Sequence, residues 1–227
     1  MTEFTERHHA YIAAQFYKFL KERHGGQGLD VFVMATRRYA EQRGSRMAQR
    51  ALRDGRKLTF STYREYGEWT NSPAVTAQGA GNKSETLAES PDYVMKITAC
   101  PWAAQFADMG MSECGALYCS HVDSSLARGF NPDIKYEVLC SLNDSDSCIH
   151  ILRGAGLLPP PGARNAANMR EFDYHCGHIY KTFSEITKAV LGDSQIAADV
   201  MIVFCGNYGA GMGAQLAALA KEDFNLI

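Results

Sequence analysis

The sequence lacks several features that would place it in a class at once. Among its 227 residues no apolar run approaches the roughly eighteen residues of a membrane span, and the N-terminal stretch MTEFTERHHAYIAAQFYKF has no continuous apolar core of a secretory signal. Lys and Arg number 23 against 25 Asp and Glu, so a basic surface for nucleic acid or an anionic membrane is also missing. We therefore expect a cytoplasmic protein with a small-molecule partner, no nucleic-acid partner and no membrane partner.

The cysteines show no ordered pattern either. There are seven, an odd number, without the compact spacings of a zinc site or of a small disulfide framework. Reduced thiols and no metal are therefore expected. Because 46% of the residues are hydrophobic, the chain has enough apolar side chains for one core, which predicts a single domain over residues 1–227.

The helix and strand signals predict an α+β fold, in which helices pack on a small antiparallel β-sheet and both termini are helical. The first helix ends at His24-Gly25-Gly26, and Asp30 is expected to cap the second. The turn Asn143-Asp144-Ser145-Asp146 predicts a hairpin between the last two strands. The expected helices cover about 5–23, 30–52 and 169–191, and the expected strands cover 93–99, 134–142 and 148–153.

Two further segments have their own composition. Residues 71–90 are rich in Gly and Ser and predict an exposed loop, either a connector or a lid over a site. Residues 199–220 align weakly with residues 30–51, which predicts two comparable long helices with small residues where another backbone approaches. Gly44 and Gly213 on these helices favour a homo-oligomer. A dinucleotide loop at the C-terminal glycines is rejected, because such a loop belongs early in a βαβ unit.

Two cysteine-bearing segments carry reactive groups. Cys100 directly precedes Pro101, a residue favoured at the first position of a helix. A thiol at a helix N-terminus has its pKa lowered by the dipole and the free N–H groups, which makes Cys100 a candidate nucleophile. The alternative is a buried, inert thiol. Cys119 and Asp123 lie four residues apart, hence on one helical face.

Other segments accompany these two: ARGFNP at Ala127, the charged hairpin that ends in Cys148-Ile149-His150, YHCGHIYKTFSEITKAVLG at Tyr174, RRYAEQRGSRMAQRAL and YGEW. Together with CPW at Cys100 and LYC to Asp123, they resemble the L-2-amino-thiazoline-4-carboxylic acid hydrolase family. The resemblance implies a cofactor-free hydrolase of a cyclic amidine, which opens L-2-amino-thiazoline-4-carboxylate to N-carbamoyl-L-cysteine in a pathway to L-cysteine. An N-carbamoyl-L-cysteine amidohydrolase would follow it. The chain departs from the family at Ile149-His150, where an acidic and an aromatic residue are expected, so no role for His150 follows.

Such a reaction needs a base or nucleophile at the ring carbon C2, an acid for the leaving sulfur and an anchor for the carboxylate. Attack by Cys100 and attack by activated water both stay open. The carboxylate of Asp123 could stabilise the cationic amidine by a charge-assisted hydrogen bond. A carboxylate near a helix C-terminus is unfavourable for stability unless it is exposed or paired, which favours a functional role for Asp123. His175 and His178, three apart on one helix, are candidate acid/base residues; a metal would need a third ligand.

The remaining candidates would bind substrate. Trp102 and Cys119 are expected to line the site, Asn131 and Tyr180 to donate hydrogen bonds, and Arg46 of the basic run 37–53 to hold the carboxylate. His8, His9 and His24 are expected to be solvated. The alternatives are a hydrolase of another cyclic amidine or imide, and a non-catalytic small-molecule-binding module.

Overall fold

The computed structural model describes residues 3–227 and confirms the α+β fold, with helices at both ends of the chain and one small antiparallel sheet. The predicted strand Tyr93–Ala99 and the predicted helix end at Gly192 are both found. The helices are α1 (Glu6–Arg53), α2 (Phe60–Glu65), α3 (Pro73–Ala77), α4 (Pro101–Asp108), α5 (Ser112–Phe130), α6 (Phe172–Leu191), α7 (Gln195–Tyr208) and α8 (Ala210–Leu219); the strands are β1 (Lys83–Ala88), β2 (Tyr93–Ala99), β3 (Tyr136–Cys140) and β4 (Cys148–Leu152).

Helix α1 folds back on itself at Gly25, which confirms the predicted break. Gly25 has φ 53° and ψ −127°, a backbone conformation that glycine adopts at little cost. The two arms, residues 6–24 and 26–53, then run antiparallel. The rings of Tyr17 and Phe32 lie 5.3 Å apart, and His9 Nε2 lies 2.8 Å from the Tyr39 hydroxyl. This hairpin forms the centre of the hydrophobic core.

Two predicted helix boundaries are wrong. Asp30 caps no helix, because the second arm of α1 resumes directly after Gly25. Residues 199–220 do not form one long helix: Gly209, with φ 90°, separates α7 from α8. Within residues 3–227 no helix is long and apolar enough to cross a membrane.

The sheet has the order β1-β2-β4-β3, and every neighbouring pair is antiparallel. Strands β3 and β4 form the predicted hairpin, and β4 lies in the centre, where His150 pairs with Met95 on one side and Val138 on the other. The predicted loop at 71–90 is wrong for Lys83–Ala88, which is the edge strand β1. Its polar residues are mostly exposed, which explains why the sequence read as a loop.

Close contacts at glycines join α1 to α5 and α8 to α7. A Cβ added at Gly44 on α1 would lie 2.1 Å from the Leu126 carbonyl oxygen on α5, so only glycine fits this crossing. A Cβ at Gly213 would lie 2.1 Å from Cys205 Sγ on the neighbouring α7. Both glycines therefore serve contacts within one chain and give no support to the expected homo-oligomer, which stays a prediction.

Candidate active site

A cavity of about 350 Å³ lies against the inner face of the sheet, and helices α1, α4 and α5 contribute to its lining. Alternate residues of the strands face it because successive side chains of a strand point to opposite sides. Residues one helical turn apart on α5, Cys119, Val122 and Leu126 among them, form another part of the wall. The volume is typical of a small-molecule site.

Four of the predicted site residues meet in this cavity: Cys100, Trp102, Cys119 and Asp123. Trp69 lines it as well, with its ring centre 5.0 Å from that of Trp102. The structure thus brings together side chains from α4 and α5 that the sequence analysis selected separately.

The predicted acid/base histidines do not line the cavity. His175 is buried with Nε2 3.4 Å from the Glu68 carbonyl oxygen, and His178 is buried with Nε2 3.1 Å from Gln42 Oε1. Burial, followed by the charge of Arg43, lowers the pKa of His175 to about 3, and burial lowers the pKa of His178 well below its usual value. Both rings are therefore neutral near pH 7. No three His, Cys, Asp or Glu side chains within residues 3–227 group as a metal site.

Three predicted binding residues also lie outside the cavity. Asn131 donates from Nδ2 to the Leu58 carbonyl oxygen at 2.6 Å, and the Tyr180 hydroxyl donates to the Ala197 carbonyl oxygen at 3.0 Å. Arg46 is fully buried in a fork with Glu68, in which Nε and Nη2 lie 3.0 and 2.8 Å from the two carboxylate oxygens. All three side chains thus bind other segments of the chain and stabilise the fold, and none of them lines the cavity.

Three arginines form ion pairs with the Glu68 carboxylate. Arg50 Nη1 also donates to Glu68 Oε1, at 2.7 Å, and Arg43 Nε lies 3.6 Å from Oε2. Burial alone would raise the pKa of Glu68, but the charge and hydrogen bonds of Arg46 and the charge of Arg43 outweigh it and lower the pKa to about 2. Three buried guanidinium groups therefore share one carboxylate.

Arg43 and Glu68 are the members of this cluster that line the cavity. Arg43 forms an ion pair with Glu68, but the distance is too long for a hydrogen bond, and its buried Nε has no hydrogen-bond partner among the described residues. Because Arg46 and Arg50 share the same carboxylate, the Arg43 guanidinium keeps positive charge and hydrogen-bond donors for an anion that enters the cavity.

Asp123 supplies the opposite charge. It lines the cavity, half-buried, and makes no hydrogen bond or ion pair with any residue in the described part of the chain. After burial, its charge is the next cause that raises the pKa values of Tyr63 and Tyr136, and Arg43 lowers the pKa of the same Tyr63. One cavity thus holds a carboxylate without a partner among the described residues and a guanidinium whose counter-charge, Glu68, is shared with two other arginines.

Cys100 caps α4, with Pro101 at its first position, as predicted. The expected lowering of its pKa is wrong. Burial raises the pKa of the Cys100 thiol to about 11, and the N–H groups of Ala103 and Trp102 offset only part of this effect. Burial also raises the pKa of Cys119 well above its usual value. Both thiols are therefore protonated near neutral pH.

His9, which was expected to be solvated together with His8, lines the cavity. Both are buried, because the first arm of α1 packs into the core. Trp102 Nε1 donates to His9 Nδ1 at 3.0 Å, and His9 Nε2 lies 2.8 Å from the Tyr39 hydroxyl. Since Nδ1 accepts, Nε2 carries the proton. A usable signal was present: His9 shares a helical face with Ile12 and Phe16. His24 is half-buried and lies 3.0 Å from Asp193.

Other missed cavity residues are His150, Tyr136, Arg64 and Arg164. His150 Nδ1 lies 2.7 Å from the Tyr136 hydroxyl. Alternation along the predicted hairpin strand could have found His150, because Cys148 and His150 share one face. Arg164 comes from an irregular segment, in which no periodicity indicates where a side chain lies.

A cavity of this size, lined by the carboxylate of Asp123, the guanidinium of Arg43 and the thiols of Cys100 and Cys119, is typical of a protein that binds or converts a small molecule. The sequence profile of the L-2-amino-thiazoline-4-carboxylic acid hydrolase family matches residues 5–142, and the chain belongs to that family. The matched range includes Arg43, Cys100 and Asp123 and ends before His150. No curated protein and no solved structure matches the chain.

Proposed function

We propose that the protein hydrolyses L-2-amino-thiazoline-4-carboxylate, opening its ring to N-carbamoyl-L-cysteine. One observation supports this proposal: a single small cavity holds the carboxylate of Asp123, which has no partner among the described residues, and the guanidinium of Arg43, which shares its counter-charge Glu68 with two other arginines. The substrate carries the complementary pair, a carboxylate and an amidine that is cationic when protonated. Charge-assisted hydrogen bonds to both would fix the ring between them.

Asp123 takes the amidine cation and Arg43 takes the carboxylate. Water then adds to C2, and the C2–S bond breaks with the electron pair going to sulfur. Asp123 keeps the amidine protonated, and therefore electrophilic at C2, until water has added, and such a preorganised charge is the kind of electrostatic support that enzymes use. This division of roles replaces Arg46, whose guanidinium is occupied by Glu68.

Activated water is the attacking group that the structure favours. A thiolate, and not a thiol, is the effective nucleophile. With a pKa near 11, Cys100 is almost entirely protonated at neutral pH. Cys100 and Cys119 then serve as small apolar parts of the wall.

In this proposal the enzyme is cytoplasmic, selects the L form of the ring acid and works without a cofactor. Its product goes to an N-carbamoyl-L-cysteine amidohydrolase in a pathway to L-cysteine. The alternatives, hydrolysis of another cyclic amidine or imide and binding without turnover, give different results in the experiment below.

The test is to incubate the purified protein with each enantiomer of the ring acid and to measure free thiol, since ring opening exposes one sulfhydryl. We expect thiol release from the L form, unchanged by exhaustive chelation. Asp123→Asn should lose about 2–4 kcal/mol of transition-state stabilisation, roughly 30- to 1,000-fold in kcat/KM. Asp133→Asn is the matched control, because Asp133 is exposed and lies outside the cavity.

Absence of thiol release from the L acid would refute the proposal. Release only from other members of a cyclic amidine and imide panel would reassign the substrate. Calorimetric binding of the L acid without turnover would assign a binding module. Equal rates for Asp123→Asn and Asp133→Asn would remove Asp123 from the mechanism.

A further inference from the structure

We infer that His150 is the general base of the ring opening and that Tyr136 positions its imidazole. The inference rests on the proposed function and deepens it, since that proposal leaves open which group removes the proton from water. His150 lies outside the part of the chain matched by the family profile.

The position of His150 in the fold makes it a fixed group. It lies on β4, the central strand bonded on both edges, and it is 5% exposed. Cys148 and Leu152, two residues to either side, line the same cavity, so the pleat directs this face of the strand inward. Groups held on regular elements keep their geometry better than groups on loops.

His150 is the cavity histidine that has one ring nitrogen without a hydrogen-bond partner among the described residues. Its Nδ1 lies 2.7 Å from the Tyr136 hydroxyl, and its Nε2 has no hydrogen bond to any residue of the described range 3–227. The other histidine that lines the cavity, His9, has both nitrogens engaged, by Trp102 and Tyr39. His175 and His178 lie outside the cavity lining.

Tyr136 can hold the imidazole in the required tautomer. Burial, and next the charge of Asp123, raise the pKa of Tyr136 well above its usual value, so the hydroxyl keeps its proton. In this proposal the Tyr136 oxygen accepts the Nδ1–H of His150, which leaves the lone pair on Nε2 to take a proton from water.

His150 alone is enough to transfer the proton from water to the leaving sulfur. Nε2 takes a proton from water as the O–C2 bond forms, and it returns that proton to sulfur as the C2–S bond breaks. The hydroxyl on C2 gives its proton to solvent when the urea carbonyl forms. Protonated amidine plus water thus gives urea, thiol and one proton, and no oxidant or reductant takes part.

The test compares His150→Ala, His150→Gln and Tyr136→Phe in the thiol-release assay, with His121→Ala as the control on α5 outside the cavity. We expect kcat of both His150 variants to fall about 10²- to 10⁴-fold, with KM changed by less than about threefold. Added imidazole should raise the kcat of His150→Ala about tenfold or more. Tyr136→Phe should lose about tenfold, and His121→Ala should match the parent.

Each outcome decides the inference. Near-parental kcat in either His150 variant overturns it while the proposed function stands. Folded but inactive His150→Ala that imidazole does not rescue, together with parental Tyr136→Phe, assigns His150 to structure and also overturns it. If His150→Ala does not fold by circular dichroism, His150→Gln decides by its kcat. A parent protein that releases no thiol overturns both proposals.

Discussion

Replacing Glu68 with Gln tests the buried ion cluster that supports the floor of the cavity. Glu68 is 1% exposed, and its two oxygens accept three hydrogen bonds from Arg46 and Arg50. The variant keeps the shape but leaves three buried guanidinium groups without a counter-charge. Breaking a buried pair on one side costs about 3–5 kcal/mol.

The pKa of Glu68 gives a second route to the magnitude. A drop from the ordinary value of 4.5 to about 2 corresponds to about 3 kcal/mol of stabilisation of the charged form. Because the folded-state pKa is lowered, this stability is fully present above about pH 4.5 and is lost as the pH falls towards 2. In a chain of this size the loss lowers the melting temperature by about 6–12 °C.

The assay is urea unfolding followed by circular dichroism, for the parent and Glu68→Gln, at several pH values from 7 down to 3. The difference in unfolding free energy should be constant above about pH 4.5 and shrink below it. Glu137→Gln is the control, because its pair with Arg153 is exposed, and solvent screens such pairs so that they contribute little to stability. A Glu68→Gln loss no larger than that of the control would refute the reasoning.

Two further predictions address the thiol and the helix crossing. Cys100→Ser should keep kcat within about tenfold of the parent, because a thiol with a pKa near 11 is no nucleophile at neutral pH; a loss of several orders of magnitude with an intact fold would restore covalent catalysis. Gly44→Ala should lower the unfolding free energy by about 1–3 kcal/mol or more, since its Cβ would collide with the Leu126 carbonyl oxygen. Gly206→Ala is the control: it has open space around it and should be neutral or stabilising by up to about 1 kcal/mol. Equal melting temperatures for these two glycine variants would show that the crossing relaxes.

The elements predicted from the sequence are those set by neighbours along the chain. Strand Tyr93–Ala99, the β3–β4 hairpin, the Cys100-Pro101 helix start and the stop at Gly192 all depend on residues a few positions apart, whose backbone preferences act locally. The family resemblance and four cavity residues followed from short segments of this kind. The edge strand β1 escaped prediction because its polar residues pair through backbone groups and bury little.

Only the tertiary structure decided which charged side chains bind one another and which line the cavity. Arg43 and Arg46 are three apart in one basic run, yet Arg46 is hydrogen-bonded to Glu68 in a buried fork, whereas Arg43 has only a longer ion pair with Glu68 and lines the cavity. The sign of the Cys100 pKa shift likewise depended on burial by distant segments, which outweighed the local helix terminus. Burial and ion pairing depend on residues that are far apart in sequence, so a local sequence pattern does not predict them.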